Sequence, residues 1–335
     1  MNHKEVFKTL TLVAAWCFMV IVVAFFPGEA RSEFPERPVT IVVGNEAGGT
    51  ADTITRALAI GTEKQLGKPV IVENKGGGGG AVALGILANA KPDGYTLCAV
   101  PNDALVNTPL LQKVPFRPLK NFVAIMSHSA SENTSLLVKA DAPWKTFKEL
   151  IDYAKKNPGR VKYSSAGVGT GMHTAMEYIA HQDGIKWVHV PFKGTAPART
   201  ALMGGHVDAC SSGMDWMPFV QSGALRVLAT YGRQRAPGFS NVPTLKELGY
   251  DFVSDAIHGI VGPAGIPPDV VNKLESALTK GTETSEFKTV QEKLSLTPAY
   301  YNAKEFDRHL KEHWVKIEKI FKDTGIIKEA ATAPY

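Results

Sequence analysis

Three segments of the sequence share one design, in which an apolar run passes into a loop of small residues and a helical pattern begins at once. They are Gly44-Asn45-Glu46-Ala47-Gly48-Gly49-Thr50-Ala51-Asp52, Ser164-Ser165-Ala166-Gly167-Val168-Gly169-Thr170-Gly171-Met172-His173, and Phe192-Lys193-Gly194-Thr195-Ala196-Pro197. A helix start leaves backbone N–H groups without intrahelical partners and carries about half a positive charge, so it attracts a carboxylate or a phosphate. Glycines let such a ligand approach the backbone, and Ser and Thr hydroxyls add donors. One loop of this kind also serves as an ordinary tight connection between strand and helix, whereas three in one chain point to an anion site.

Other chemistry is not supported. Gly167-Val168-Gly169-Thr170-Gly171 lacks the third glycine of a dinucleotide fingerprint, and about 20 residues on, Trp187 and Val188 stand where a ribose-binding acid is wanted. The run Gly76 to Gly80 leads into Ala81-Val82 with no Gly-Lys-Ser/Thr, so it reads as a turn rather than a P-loop. No Gly-x-Ser-x-Gly, Cys-x-x-Cys or His-Glu-x-x-His occurs, and no histidine pair has metal-ligand spacing beside a carboxylate. No catalytic residue, metal or cofactor is therefore expected. Ser165 with His173 remains the one conceivable nucleophile and base, although His173 falls where the first turn of a helix begins and either caps that turn or touches a ligand.

The elements that position these loops alternate. Val39 to Val43 is a β-branched strand, followed by a helix from about Asp52 to Gln65, a strand Val70 to Val72, a helix Ala81 to Asn89 and a strand Tyr95 to Val100. That order implies βαβ units around a mostly parallel sheet. After a long extended stretch, Phe122 to Lys139, a second series follows. It comprises a helix Phe147 to Lys156, a strand Val161 to Ser164, a helix from His173, a strand Trp187 to Pro191, a helix Ala196 to Met203, and strands at Val207 to Cys210 and Leu225 to Thr230. Phe252 to Val261 is extended again, Pro267-Pro268-Asp269 opens a helix, and Ala303 to Lys322 closes the chain with a strong helical pattern. Phe306, Leu310, Trp314, Ile317 and Phe321 give that last helix an apolar stripe, with Glu312–Lys316 and Glu318–Lys322 pairs on its exposed side.

The chain of 335 residues is 44% hydrophobic and 21% charged, the balance of a folded protein rather than a disordered or multi-spanning one. Lys and Arg (37) exceed Asp and Glu (32) by 5 without clustering, so no nucleic-acid surface is expected. At the amino terminus Lys4 and Lys8 precede an uncharged run from Leu10 to Phe26, and Gly28-Glu29-Ala30 offers small residues where a signal peptidase reads. This predicts a signal peptide over residues 1–30, cut after Ala30; an uncleaved anchor is the alternative. Trp16 before Cys17 argues against lipidation. Cys98 and Cys210 lie in apolar strand-like stretches and read as small buried hydrophobes, with a disulfide allowed but not implied.

Ordered motifs then carry a resemblance. Phe34-Pro35-Glu36-Arg37-Pro38-Val39-Thr40-Ile41-Val42-Val43, Ala47-Gly48-Gly49 with Asp52, Val72-Glu73-Asn74-Lys75 and Pro92-Asp93-Gly94-Tyr95-Thr96-Leu97 open the chain. Pro143-Trp144-Lys145-Thr146, Val190-Pro191-Phe192-Lys193-Gly194, Leu202 to Asp208, Asn241-Val242-Pro243-Thr244 and Gly262-Pro263-Ala264-Gly265 follow. Together they resemble the periplasmic receptors of tripartite tricarboxylate transporters, the Bug-type receptors, over nearly the whole chain beyond the signal peptide.

The resemblance implies an α/β periplasmic-binding-protein type II fold. Two α/β lobes (34–133 with 256–335, and 134–255) are joined by two crossing strands and close on a small organic carboxylate. It implies delivery to a membrane permease in the periplasm, by a protein acting as a monomer. Mapped onto this chain, the ligand loops are Asn45, Glu46, Ala47, Gly48, Gly49 and Thr50 from the first lobe. From the second they are Ser165, Gly167, Val168, Gly169, Thr170 and His173, with Gly194, Thr195 and Ala196. Asn45-Glu46 replaces the family's usual apolar or aromatic pair, and Thr50-Ala51 its frequent glycine and hydroxyl. Glu46 either faces the cleft, disfavouring a second carboxylate and welcoming a hydroxyl, amine or amide, or points to solvent. Asp215 either lines the far wall or caps a helix. Lys193 pairs with the ligand or with a surface acid, and His128, Ser129, Ser131 and Asn133 lie where the first crossing passes the cleft. A serine hydrolase built on Ser165 and His173, or a sensor signalling to a membrane kinase, are the competing readings.

Overall fold

The fold begins with β1 (Val39–Val43), whose β-branched side chains suit a strand covered on both faces. The chain continues through α1 (Thr50–Leu66), β2 (Val70–Asn74), α2 (Ala81–Ala88) and β3 (Thr96–Pro101). β1 lies between β2 and β3 and runs parallel to both, so all three strands deliver their carboxyl ends to the same edge of the sheet. Two short helices, α3 (Asn102–Leu105) and α4 (Asn107–Leu111), sit at that edge before β4 (Phe122–Ser131) crosses the sheet. The computed structural model of the protein describes residues 33–131, 134–254, 256–323 and 325–335. The expected signal peptide, Cys17 and Asn133 lie outside them.

The long extended stretch resolves into two strands in different sheets. β4 stays in the first sheet, while β5 (Ser135–Lys139) enters the second, which continues with α5 (Phe147–Lys156), β6 (Lys162–Ser165), α6 (Gly171–Asp183) and β7 (Val188–Pro191). α7 (Thr195–Met203), β8 (Ala209–Ser212), α8 (Met217–Gln221) and β9 (Leu225–Thr230) complete it, in the order β7-β6-β8-β5-β9. Local capping explains where these helices start. Thr146 Oγ1 accepts from Glu149 N–H at α5 (3.3 Å), and Thr170 Oγ1 accepts from His173 N–H at α6 (3.3 Å).

The chain then returns as β10 (Ala256–Pro263) and finishes with α9 (Pro268–Thr282), α10 (Ser285–Lys293), β11 (Thr297–Tyr301) and α11 (Ala303–Asp323). The first sheet has the order β11-β4-β10-β3-β1-β2. It is less parallel than the alternation of elements predicts: β10 is antiparallel to β3 and β4, β11 to β4, and β5 to β8 and β9. The reason is topological. A strand returning from the other sheet enters at the edge where β1 and β3 end, so it must run opposite to them.

Each sheet has its own core. Leu84, Leu87, Cys98, Leu105, Phe306, Leu310 and Trp314 belong to the first, and Leu136, Leu150, Tyr163, Met176, Ile179 and Tyr231 to the second. Cys98 and Cys210 are free and buried in different sheets, and burial pushes the Cys210 thiol up to about 12. The apolar stripe of α11 is docked as expected, and Lys322 pairs with Glu318 at 2.7 Å. The expected Glu312–Lys316 pair is not made; Lys311 instead pairs with Asp307 at 2.7 Å.

Phe306 is fully buried in the first core, so Phe306→Ala is expected to remove about 3–5 kcal/mol of stability, read as a lower urea midpoint at unchanged m-value.

Candidate functional site

The loop after β1 is held by a buried carboxylate. Asp52 accepts from Gly48 N–H (2.9 Å), Arg56 Nε (2.9 Å) and Asn74 Nδ2 (2.9 Å), and Asn74 Nδ2 also donates to the Asn45 carbonyl (3.0 Å). Asp52 thus folds the segment from Asn45 to Gly49 back over the start of α1 and is consumed in doing so. The Asn74 at the end of β2 does the same from the neighbouring strand.

The loops of the two sheets meet along a seam where backbone touches backbone. Glu46 N–H donates to the Lys193 carbonyl (2.7 Å), Thr108 Oγ1 donates to the Val168 carbonyl (3.5 Å), and Gly171 N–H donates to Asp103 Oδ2. A Cβ at Gly79 would stand 2.1 Å from the Val168 carbonyl oxygen, and one at Gly169 would stand 2.4 Å from Thr108 Cα, so only glycine allows this approach. Gly167 and Val168, with Gly169, belong to the seam rather than to a void.

Within the seam lies a cavity of about 40 Å³. Asn45, Gly49, Thr50, Thr170 and Thr195, all among the residues the sequence singles out, line it, so α1 from one sheet and α6 and α7 from the other all begin at its wall. The helix starts direct the positive ends of their dipoles at it, and at α6 two first-turn N–H groups are already taken, Gly171 by Asp103 and His173 by Thr170. Thr50 Oγ1 and Thr134 Oγ1 are buried (residues 5% and 2% exposed), line the cavity and have no hydrogen-bond partner. An orphaned buried hydroxyl costs roughly 1–3 kcal/mol until something accepts its proton.

Other lining residues escape the three-loop pattern. Asp103, Ser131, Thr134, Gly213 and His258 also face the cavity, whereas Met172, which faces it too, belongs to the second loop. Asp103 follows β3 through Pro101-Asn102 into a helix start, the same strand-to-helix signal in a fourth place. Ser131 Oγ lies 2.6 Å from His258 Nε2, so the first crossing reaches the cavity through Ser131. His128 and Ser129 instead bond each other (3.1 Å), and Ser129 accepts from Gln291 Nε2 (2.7 Å).

The remaining sequence-predicted residues lie elsewhere. Ala47 and Gly48 are exposed at the rim, Glu46 is half-buried and enters the seam through its main chain, and Lys193 is exposed and contributes its carbonyl. Gly194 and Ala196 flank Thr195 at the start of α7. Asp215 does not line the cavity: its carboxylate pairs with Arg199 and accepts from Thr195 Oγ1 (3.2 Å), while the guanidinium stacks on Phe219 at 4.4 Å. Ser165 and His173 do not form a nucleophile–base pair. Ser165 Oγ lies 2.7 Å from His189 Nε2, and His173 Nδ1 accepts from Gly169 N–H at 3.3 Å.

The chain is similar to known proteins over most of its length. A family model described as tripartite tricarboxylate transporter family receptor matches residues 54–326. A protein of Cupriavidus necator, "UPF0065 protein in gbd 5'region", is 38% identical over 306 residues, covering 91% of this chain and 93% of that protein. The solved periplasmic binding protein BugD superposes with a TM-score of 0.82 at 31% identity, covering 87% of this chain and 99% of its own. MatC from Rhodopseudomonas palustris, solved with bound malate, superposes with a TM-score of 0.80 at 27% identity, covering 86% and 99%. The fold is that of the periplasmic binding proteins, two α/β lobes joined by two crossing strands.

Three buried imidazoles and the half-buried His189 set a pH dependence. Burial lowers His173 and His258 to about 4 and His128 and His189 to about 3 from the ordinary 6.5, and His173, stacked 4.3 Å from His189, opposes that ring's charge further. Below about pH 6.5 the unfolded chain takes up protons that the folded chain refuses, so stability is present above that pH and is lost as pH falls. Thermal unfolding from about pH 7 to about pH 4 should show a falling Tm, with a shallower fall for His173→Gln/His189→Gln.

Proposed function

The chain belongs to the tripartite tricarboxylate transporter receptor family, and from that premise we propose that it captures a small organic carboxylate in the seam cavity and delivers it to a membrane permease of that transporter class. The capture takes place in the periplasm, after removal of residues 1–30. The lobes that close are residues 34–133 with 256–335, and residues 134–255. The separation of the two sheets supports this division.

The observation that carries the reading is the pair of orphaned hydroxyls, Thr50 Oγ1 and Thr134 Oγ1, in a cavity where helices from both lobes begin. A carboxylate oxygen accepts from hydroxyls and from helix-start N–H groups alike, and binding between the lobes draws on both at once. Asn45, Gly49, Thr50, Thr170 and Thr195 form the wall. Glu46, Ala47, Gly48, Ser165, Gly167, Val168, Gly169, His173, Gly194, Ala196 and Asp215 shape or brace the seam that shuts over it.

Specificity follows from charge. Asp103 brings a carboxylate to the cavity wall, so the ligand is expected to present a hydroxyl or amine there rather than a second carboxylate. Malate, bound in the MatC structure, is a hydroxy dicarboxylic acid, so in this cavity it would turn its hydroxyl toward Asp103 and its second carboxylate away from it. A volume of about 40 Å³ accommodates a carboxylate group, so a whole acid fits only with the lobes further apart than they stand here.

Protein purified without refolding and then denatured is expected to release a carboxylic acid identifiable by mass spectrometry; release of a nucleotide, sugar or peptide instead would contradict the reading. Titration calorimetry with the released acid, or with malate, should show Thr50→Val and Thr134→Val each weakening affinity by about tenfold, roughly 1–2 kcal/mol, with folded circular dichroism spectra.

A further inference from the structure

A second, larger cavity of about 240 Å³ shares Asp103 and Ala256 with the first, so those residues form the partition between them. Its walls come from both lobes: Gly171, Thr174, Arg233 and Lys246 on one side, Asn107 and the inner face of α11 on the other. Three kinds of surface meet in it. Arg233, Lys246 and Lys316 are exposed cations at its margin, and among the described residues neither Lys246 nor Lys316 makes an ion pair. Phe252, Ile317, Ile320 and Phe321 supply an apolar wall.

The third surface is an unsatisfied polar end. Ser254 and Asn107 are 4% and 6% exposed, both line the cavity, and Ser254 Oγ and Asn107 Oδ1 have no hydrogen-bond partner. One is a hydroxyl that can donate and the other a carbonyl oxygen that must accept, so a single ligand hydroxyl satisfies both. The acids facing the cavity are Asp103, whose Oδ2 already accepts from Gly171 N–H, and the exposed Asp251. His313 is buried in the wall beside the lysine of its own helix.

We propose that this cavity is an accessory binding site for a hydroxylated aromatic or similarly apolar monocarboxylate. Its hydroxyl meets Ser254 and Asn107, its body lies on Phe252 and the isoleucines of α11, and its carboxylate faces Lys246 and Lys316. The site is separate from the seam cavity and stands whatever that cavity holds.

Equilibrium dialysis of 4-hydroxybenzoate against the purified protein, read by absorbance, tests the site, with benzoate and phenol as probes that each lack one end. Binding of 4-hydroxybenzoate is expected to fall about tenfold in Lys246→Ala/Lys316→Ala, and in Ser254→Ala to the level of benzoate. Phenol should bind alike to wild type and to the lysine variant. Thr50→Val/Thr134→Val, which alters only the seam cavity, should leave unchanged the part of 4-hydroxybenzoate binding that the lysine variant removes. No binding at millimolar concentration, or binding that survives in the lysine variant and disappears in the threonine variant, would overturn the proposal. Because the two variant sets are disjoint, failure here leaves the seam cavity's assignment untouched, and the reverse holds as well.

Discussion

The closed seam depends on backbone meeting backbone with no side chain between. At Gly79 and Gly169 the facing chain lies so near that a single added carbon would collide with a carbonyl oxygen or a Cα atom. That contact sets how far the lobes can approach, and the approach in turn brings Gly49 and Thr195 to the same small cavity. A larger residue at either glycine would hold the lobes apart and leave the helix starts facing water, where their partial charges are screened. The glycines are therefore less about loop flexibility than about distance.

Electrostatics in the cavity is built from dipoles, with the charged groups nearby already committed. Asp52 is spent on bracing the first loop, and Asp215 with Arg199 forms a buried pair behind Thr195. What faces the cavity is a set of hydroxyls, helix starts and one carboxylate, Asp103, which reaches across from the first lobe to the start of α6. Such a wall prefers an anion that carries a donor of its own. It also ties recognition to closure, because no single lobe supplies all of these groups.

Much of this was legible in the residues. β-branched runs and the small-residue loops behind them set β1, α1 and α7 close to where they lie, since those signals are local. The cavity wall was only half legible. Thr50, Thr170 and Thr195 sit in the loops that the pattern selects, whereas Thr134 and His258 reach the cavity because the chain passes between the two sheets beside them, after β4 and before β10, a fact of topology that spacing along the chain does not carry. The final strand, Thr297–Tyr301, was missed because Pro298 argues against a strand; it is tolerated there because β11 lies at the sheet's edge. Asp215 has a helix-start position and an acidic charge, yet its partner Arg199 lies on a different element, so its pairing could not be read from the sequence.

The central claim is that both lobes grip one carboxylate in the seam cavity. A crystal structure of the protein with its co-purified acid tests it most directly. A carboxylate oxygen should lie about 2.7–3.0 Å from Thr50 Oγ1 and Thr134 Oγ1, with the ligand contacting the starts of α1 and α7. An acid held by one lobe alone, or seated only beyond the Asp103 partition, would contradict it.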